Sequence, residues 1–237
     1  MEHRELCSHT VENNRKAAHS CVSIVPIFNH LQEEEMKKVV KATRPISLKR
    51  GESLYQAGDV SDSLYIIHQG KIKIYRLSEN GKEQLIRILQ PGDFTGELAL
   101  FTESIHEVYA EAMEKTEICS IHRTDLHLLL RKFPDISLKI LSEFSNRLER
   151  TELQMTSFVT EDIETRIASY LAQQVEENES TDFKLSMSRK DLASFLGTTP
   201  ETISRKLAKF EDAGWIEQED HRVIRILNQE ALLTADD

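Results

Sequence analysis

The stretch that most constrains this chain is Met187 to Glu217, MSRKDLASFLGTTPETISRKLAKFEDAGWIE, because it parses residue by residue as two short helices joined by a tight turn. Ser188 fits an N-cap, and Leu192, Phe195 and Leu196 fall at helical spacing on one apolar face. Gly197 stops that helix and Thr198 and Thr199 make the turn. Pro200 suits the first position of a second helix, where its missing N–H has no partner to lose. Ile203, Leu207 and Phe210 form the buried stripe of this second helix, and Glu201, Thr202, Ser204, Arg205 and Lys209 occupy its other face. Such side chains, on the N-terminal half of the second helix of a helix-turn-helix, are those that meet the DNA major groove. Arginine can grip guanine O6 and N7, glutamate can accept from cytosine N4, and serine can serve a base or a phosphate. The same spacing also fits an ordinary helical hairpin with a solvated outer face.

A net charge of -10 over 237 residues is unpromising for a partner of phosphate. Its distribution is more informative. Between Lys184 and Phe210, six cations (Lys184, Arg189, Lys190, Arg205, Lys206, Lys209) face two anions (Asp191, Glu201), a local balance of +4. The acid lies in Glu33 to Glu35, Glu176 to Glu179 and Glu217 to Asp220, which disfavours nonspecific DNA binding and favours a dimer engaging two half-sites. No stretch approaches the roughly 20 apolar residues of a membrane span. The N-terminal residues MEHRELCSHTVENNRKAAHS lack an apolar signal region, so a cytoplasmic protein without a membrane partner is expected. Three cysteines, Cys7, Cys21 and Cys119, do not make a disulfide framework and leave metal binding, redox sensing or burial.

In chain order, four regions are expected. Residues 1–22 form a polar arm with His3, Cys7, His9, His19 and Cys21. Residues 23–134 begin with an apolar run and an amphipathic helix from Gln32 to Ala42 that turns Met36, Val39 and Val40 inward. From Pro45 to His122, short alternating runs such as SLYIIHQGKIKIYRL are punctuated by Gly51, Gly58, Gly70, Gly81 and Gly92, which predicts an antiparallel sandwich or barrel. Residues 135–159 form a long helix in which Ile140, Phe144, Leu148, Thr151, Met155 and Phe158 step by four or three. This narrow seam suits a partner helix, or packing on its own domain. Residues 160–237 contain a further helix, DIETRIASYLAQQV, the helix-turn-helix, and a closing strand in Arg222 to Leu227 that gives a winged arrangement.

The segment MSRKDLASFLGTTPETISRKLAKFEDAGWI resembles the helix-turn-helix of the Crp/Fnr family of bacterial transcription regulators, closest to the Fnr-like, Flp-type branch of Gram-positive bacteria. ETISR is its most specific part. In the Fnr branch the matching positions read a TTGAT-type half-site, which implies that Glu201, Ser204 and Arg205 contact bases. Thr202 lies beside them, and Arg189, Lys190, Lys206 and Lys209 are expected to hold phosphates. The run GESLYQAGDVSDSLYIIHQGKIKIY is similar to the cyclic-nucleotide-binding-type β-roll. The fold implied is α+β: an N-terminal β-roll, a long dimerisation helix and a C-terminal winged helix-turn-helix. A homodimer on palindromic double-stranded DNA, in contact with RNA polymerase, is the function implied.

The resemblance also bears on the effector. In cAMP-responsive relatives an Arg-Ser pair after the GEL segment neutralises the cyclic phosphate, and here His106 and Glu107 are taken as the matching positions, so cAMP is not expected and GEL is structural. Cluster-bearing relatives place three cysteines in the arm and a fourth on a late strand, each a thiolate ligand. Cys119 matches that fourth position; the arm offers only Cys7 and Cys21, with His3, His9 or His19 available to complete a [4Fe–4S] site. A thiol switch between the arm and Cys119, zinc held by the same Cys and His residues, and a merely buried Cys119 are the alternatives. A regulator that senses a metabolite in the β-roll, with its cysteines idle, is the competing function. An enzyme is not expected, because no nucleophile elbow, phosphate-binding loop or HExxH motif is present.

Overall fold

A computed structural model describes residues 22–220 and 222–234. The described chain divides into two compact units, one of residues 22–82 and 86–146, the other of residues 83–85 and 147 onward, so that the main boundary falls inside the long helix, between Asn146 and Arg147.

In the first unit, helix α1 (Glu33–Ala42) starts where the Gln32 N–H donates to the Glu35 carboxylate at 3.0 Å, and it buries Met36 and Val39. Two four-stranded antiparallel sheets follow. One takes the order β1 (Thr43–Leu48), β10 (Thr116–His122), β4 (Ser63–Gln69), β7 (Phe94–Thr95). The other takes the order β2 (Ser53–Tyr55), β9 (Tyr109–Ala112), β5 (Ile72–Leu77), β6 (Glu83–Leu89), and β3 (Val60–Ser61) pairs with β8 (Ser104–Ile105). This is the expected β-roll. Gly70 shows why glycine marks its corners: at φ +86°, an added Cβ would stand 2.6 Å from the Lys115 carbonyl oxygen. The sheet containing β4 is covered on both faces, which a simple inside-outside alternation does not anticipate. Leu64 and Ile66 join a cluster with Val22, Phe28, Met36, Cys119 and Ile121, whereas Ile67 joins Ile72, Ile74, Ala110 and Ile118 inside the roll.

Helices α2 (Arg123–Lys132) and α3 (Pro134–Thr160) close the first cluster with Leu126, Leu129, Ile136 and Ile140, and Phe144 packs against its edge. Other large apolar side chains of α3 are mostly open among the described residues. Leu141, Leu148, Leu153 and Met155 are 58–65% exposed. The expected seam is therefore buried at Ile140, partly buried at Phe144, and open from Leu148 onward.

The second unit is built on α4 (Ile163–Asn178), whose N-cap Asp162 accepts from the Thr165 N–H at 2.9 Å. A three-stranded sheet of order β11 (Asp182–Lys184), β13 (Val223–Ile226), β12 (Ile216–Gln218) forms the wing. Helices α5 (Arg189–Phe195), α6 (Pro200–Asp212) and α7 (Gln229–Leu233) complete the unit.

Candidate nucleic-acid interface

Local chemistry fixes the two helices. Ser188 accepts from the Asp191 N–H at 3.1 Å while Asp191 accepts from the Ser188 N–H, so each satisfies one orphan donor of α5. Leu192, Ala193 and Leu196 are buried, with Phe195 half-buried and edge-on to Tyr170. At the far end the Thr198 N–H reaches the Ala193 carbonyl at 2.8 Å and the Gly197 N–H the Ser194 carbonyl, with Gly197 at φ +70°; this geometry terminates a helix at glycine. Thr199 caps α6 by accepting from the Thr202 N–H, and Pro200 takes the first helical position. Gly214 repeats the same terminator, with Trp215 packed on Phe210 at a ring separation of 5.6 Å.

Ile203, Leu207 and Phe210 are wholly buried, so the orientation of α6 is set. At about 100° per residue, Arg205 lies roughly 160° from Ile203 around the helix. Glu201, Ser204 and Arg205 are accordingly exposed together, with Thr202 half-buried at their flank. The Glu201 carboxyl is held below its usual range, first by its own backbone N–H and then by the Thr199 hydroxyl, so it presents an ionised acceptor at neutral pH. The face thus offers one forked donor, one anionic acceptor and one hydroxyl within a single helical turn.

The cations expected on phosphates divide into two kinds. Lys190 is exposed on the first turn of α5, with only a loose ion pair to Glu83 at 3.9 Å. Arg189 is half-buried, donates from Nη2 to Gln218 Oε1 at 2.6 Å, and has its pKa lowered by burial. Gln218 is held in turn by Glu211, so Arg189 joins α5 to the wing rather than extending outward. Lys206 and Lys209 both donate to Glu164, on the first turn of α4. Arg189, Lys206 and Lys209, expected on phosphates, each have a side-chain partner inside their own unit. Glu164 escaped notice because a glutamate in the first turn of a helix is ordinary, and its partners lie 42 and 45 residues away. Arg225 escaped likewise; it is held on the wing by Asp182, Glu217 and Glu219.

In the β-roll, residues near the expected cyclic-phosphate position pair with one another. His106 stacks on Tyr55 with ring centroids 3.6 Å apart and planes within 6°, and the Tyr55 hydroxyl meets Thr95 Oγ1 at 2.7 Å. Gly96, at φ +80°, leads into a single 3-10 turn over Glu97–Leu100 whose Glu97 pairs with Arg87 at 3.0 Å. Burial lowers the His106 pKa, so the ring is neutral at physiological pH, and Glu107 points outward to Arg76 at 2.7 Å. Neither residue supplies the cation that a cyclic phosphate needs.

Cys119 is 4% exposed on β10, opposite Pro45 of β1 and Ile66 of β4. It shares its apolar cluster with Val22, the residue after Cys21, and with Ile136 and Ile140 of α3. Cys7, Cys21, His3, His9 and His19 lie outside the described residues. Among the described residues no group of three or more His, Cys, Asp or Glu side chains is arranged to hold a metal ion, and no helix is long and apolar enough to cross a membrane.

Comparison with known proteins agrees with this architecture. Residues 45–133 match the cyclic nucleotide-binding domain family and residues 165–235 the Crp-like helix-turn-helix domain. The probable transcriptional regulator flp of Lacticaseibacillus casei is 35% identical over 90% of this chain and 96% of its own length. The anaerobic regulatory protein of Haemophilus influenzae is 30% identical over 80% of this chain and 74% of its own. The solved structure of FixK2 from Bradyrhizobium japonicum superposes with a TM-score of 0.72 at 24% identity, covering 82% of this chain and 98% of that one. The chain belongs to the Crp/Fnr family of DNA-binding transcription regulators, and it is not an enzyme.

Proposed function

We propose that the protein is a homodimer that reads an inverted repeat of TTGAT-like half-sites and responds to oxygen or redox state. The observation that carries the DNA reading is the common exposure of Glu201, Ser204 and Arg205 on α6. Arg205 serves the guanine of the half-site, Glu201 accepts from a cytosine amino group, and Ser204 and Thr202 provide hydroxyls; Lys190 serves a phosphate. RNA polymerase is the further partner, as the family resemblance implies. The apolar row on α3 supports pairing with a second copy.

The sensor is proposed at Cys7, Cys21 and Cys119. Its support is the cluster that joins Cys119 to Val22 and to the first turns of α3, since a change in the arm would bear on the packing of the dimer helix. The described residues supply one thiol in apolar surroundings, and a [4Fe–4S] cluster takes four ligands. Three cysteines leave that set one short unless a histidine of the arm joins. Redox chemistry at the thiols themselves needs no further ligand. The lack of a cation at His106 and Glu107 argues against a cyclic nucleotide effector.

The test is iron, sulfide and zinc analysis of protein purified without oxygen, followed by DNA binding before and after exposure to air. Binding is expected to change on oxidation and to be lost as a redox response in Cys119→Ser. Binding indifferent to oxygen and to thiol reductants, in metal-free protein, would contradict the sensor assignment and favour a metabolite effector.

A further inference from the structure

Glu164 stands out among the charged groups of the second unit. Its side chain is 5% exposed, and both carboxylate oxygens are engaged, Oε2 by Lys206 and Oε1 by Lys209. Lys206 is 21% exposed and Lys209 58%, so the second of these cations lies at the border of the face that carries Arg205. Burial by itself would raise the Glu164 pKa, but the hydrogen bonds and charges of the two lysines outweigh it and hold the carboxyl ionised. The N-terminus of α4 also favours the anion. Asp162, the N-cap two residues earlier, is a second carboxylate held ionised, chiefly by Thr165 and to a smaller extent by the Lys206 charge. The two lysines are therefore occupied by an internal anion that offers them what a DNA phosphate would: two oxygens and a negative charge.

We propose that Glu164 is a specificity-determining residue that withholds Lys206 and Lys209 from DNA phosphates, so that binding depends on the base contacts of α6. The inference rests on α6 being the DNA-reading helix. Each phosphate neutralised by a lysine adds affinity for any sequence and steepens the salt dependence by about 0.9 in the log–log slope. Keeping two such contacts out lowers nonspecific affinity while leaving Arg205, Ser204 and Glu201 to discriminate. It also holds α6 against α4, which fixes the direction in which those three side chains project.

Glu164→Gln tests this. The amide keeps the shape but loses the negative charge and one of the two acceptor oxygens, so the hold on both lysines weakens and their release to phosphate is expected. Binding is measured across a range of salt on an inverted-repeat duplex and on a scrambled duplex of equal length. The slope on the scrambled duplex is expected to steepen by about 0.9 for each lysine released, with nonspecific affinity rising by roughly tenfold per lysine at 0.1 M salt. The ratio of specific to scrambled binding should fall. Adding Lys206→Gln and Lys209→Gln to Glu164→Gln is expected to restore the original slope, which a loss of packing alone would not do. Lys209→Gln alone, which leaves Glu164 paired with Lys206, should keep the wild-type slope, and this variant is informative even if Glu164→Gln fails to fold. A slope that drops by about 0.9 in Lys209→Gln would show that this lysine reaches phosphate despite Glu164, and would overturn the proposal. An unchanged slope in folded Glu164→Gln, with Arg205→Ala still altering sequence preference, would overturn it alone; unchanged preference in Arg205→Ala would remove the DNA-reading assignment beneath it.

Discussion

Replacing Leu148 with glutamate is expected to convert the protein from dimer to monomer and to reduce affinity for an inverted repeat by roughly 10²–10⁴-fold, the range gained by linking two binding modules. The reason lies in the spacing on α3. Leu141, Leu148 and Met155 are seven residues apart, as are Phe144, Thr151 and Phe158, and a seven-residue repeat of this kind faces a partner helix along its whole length. Leu148 is 60% exposed in the single chain, so its replacement removes little internal packing. In a symmetric dimer two copies would face each other across the axis, and two unpaired carboxylates in an apolar seam cost several kcal/mol. Analytical ultracentrifugation measures the first effect and DNA titration the second. A Leu148→Glu protein that remained a dimer would place the dimer interface elsewhere.

Arg205→Ala is expected to cost about 1–3 kcal/mol per half-site and to relax preference at the guanine alone. Arg205 is exposed on α6 opposite the buried stripe, so thermal stability should be nearly unchanged, which separates the loss from misfolding. Competition with duplexes substituted at each half-site position checks the assignment. Uniform weakening at every position would make Arg205 a phosphate contact instead.

How much of this could be read in advance depended on the range of the interaction. The boundaries of α5 and α6 were legible because Ser188, Gly197, Thr199 and Pro200 act on backbone groups within a few residues of themselves. The stripe of Ile203, Leu207 and Phe210 was legible for the same reason: its period is the helix's own. The β-roll was foreshadowed by its glycine-marked turns. Burial on both faces of β4 was not, since Ile66 and Ile67 owe it to two different clusters assembled from distant segments. Charge was the least legible property. Lys206 and Lys209 read as cations for phosphate, and the sequence does not show that α4 brings Glu164 against them, nor that the wing strand brings Gln218 against Arg189. A sequence displays which residues are charged but not which charges are already neutralised, and for DNA binding the second quantity matters more.

The central claim, that α6 reads bases as part of a symmetric pair, is tested most directly by selecting preferred duplexes from a random pool with the wild-type protein. The account predicts an inverted repeat of TTGAT-like half-sites with centres about 10–10.5 base pairs apart, one turn of DNA, or a multiple of it. Enrichment of single, unpaired half-sites, or of no sequence above the starting pool, would contradict it.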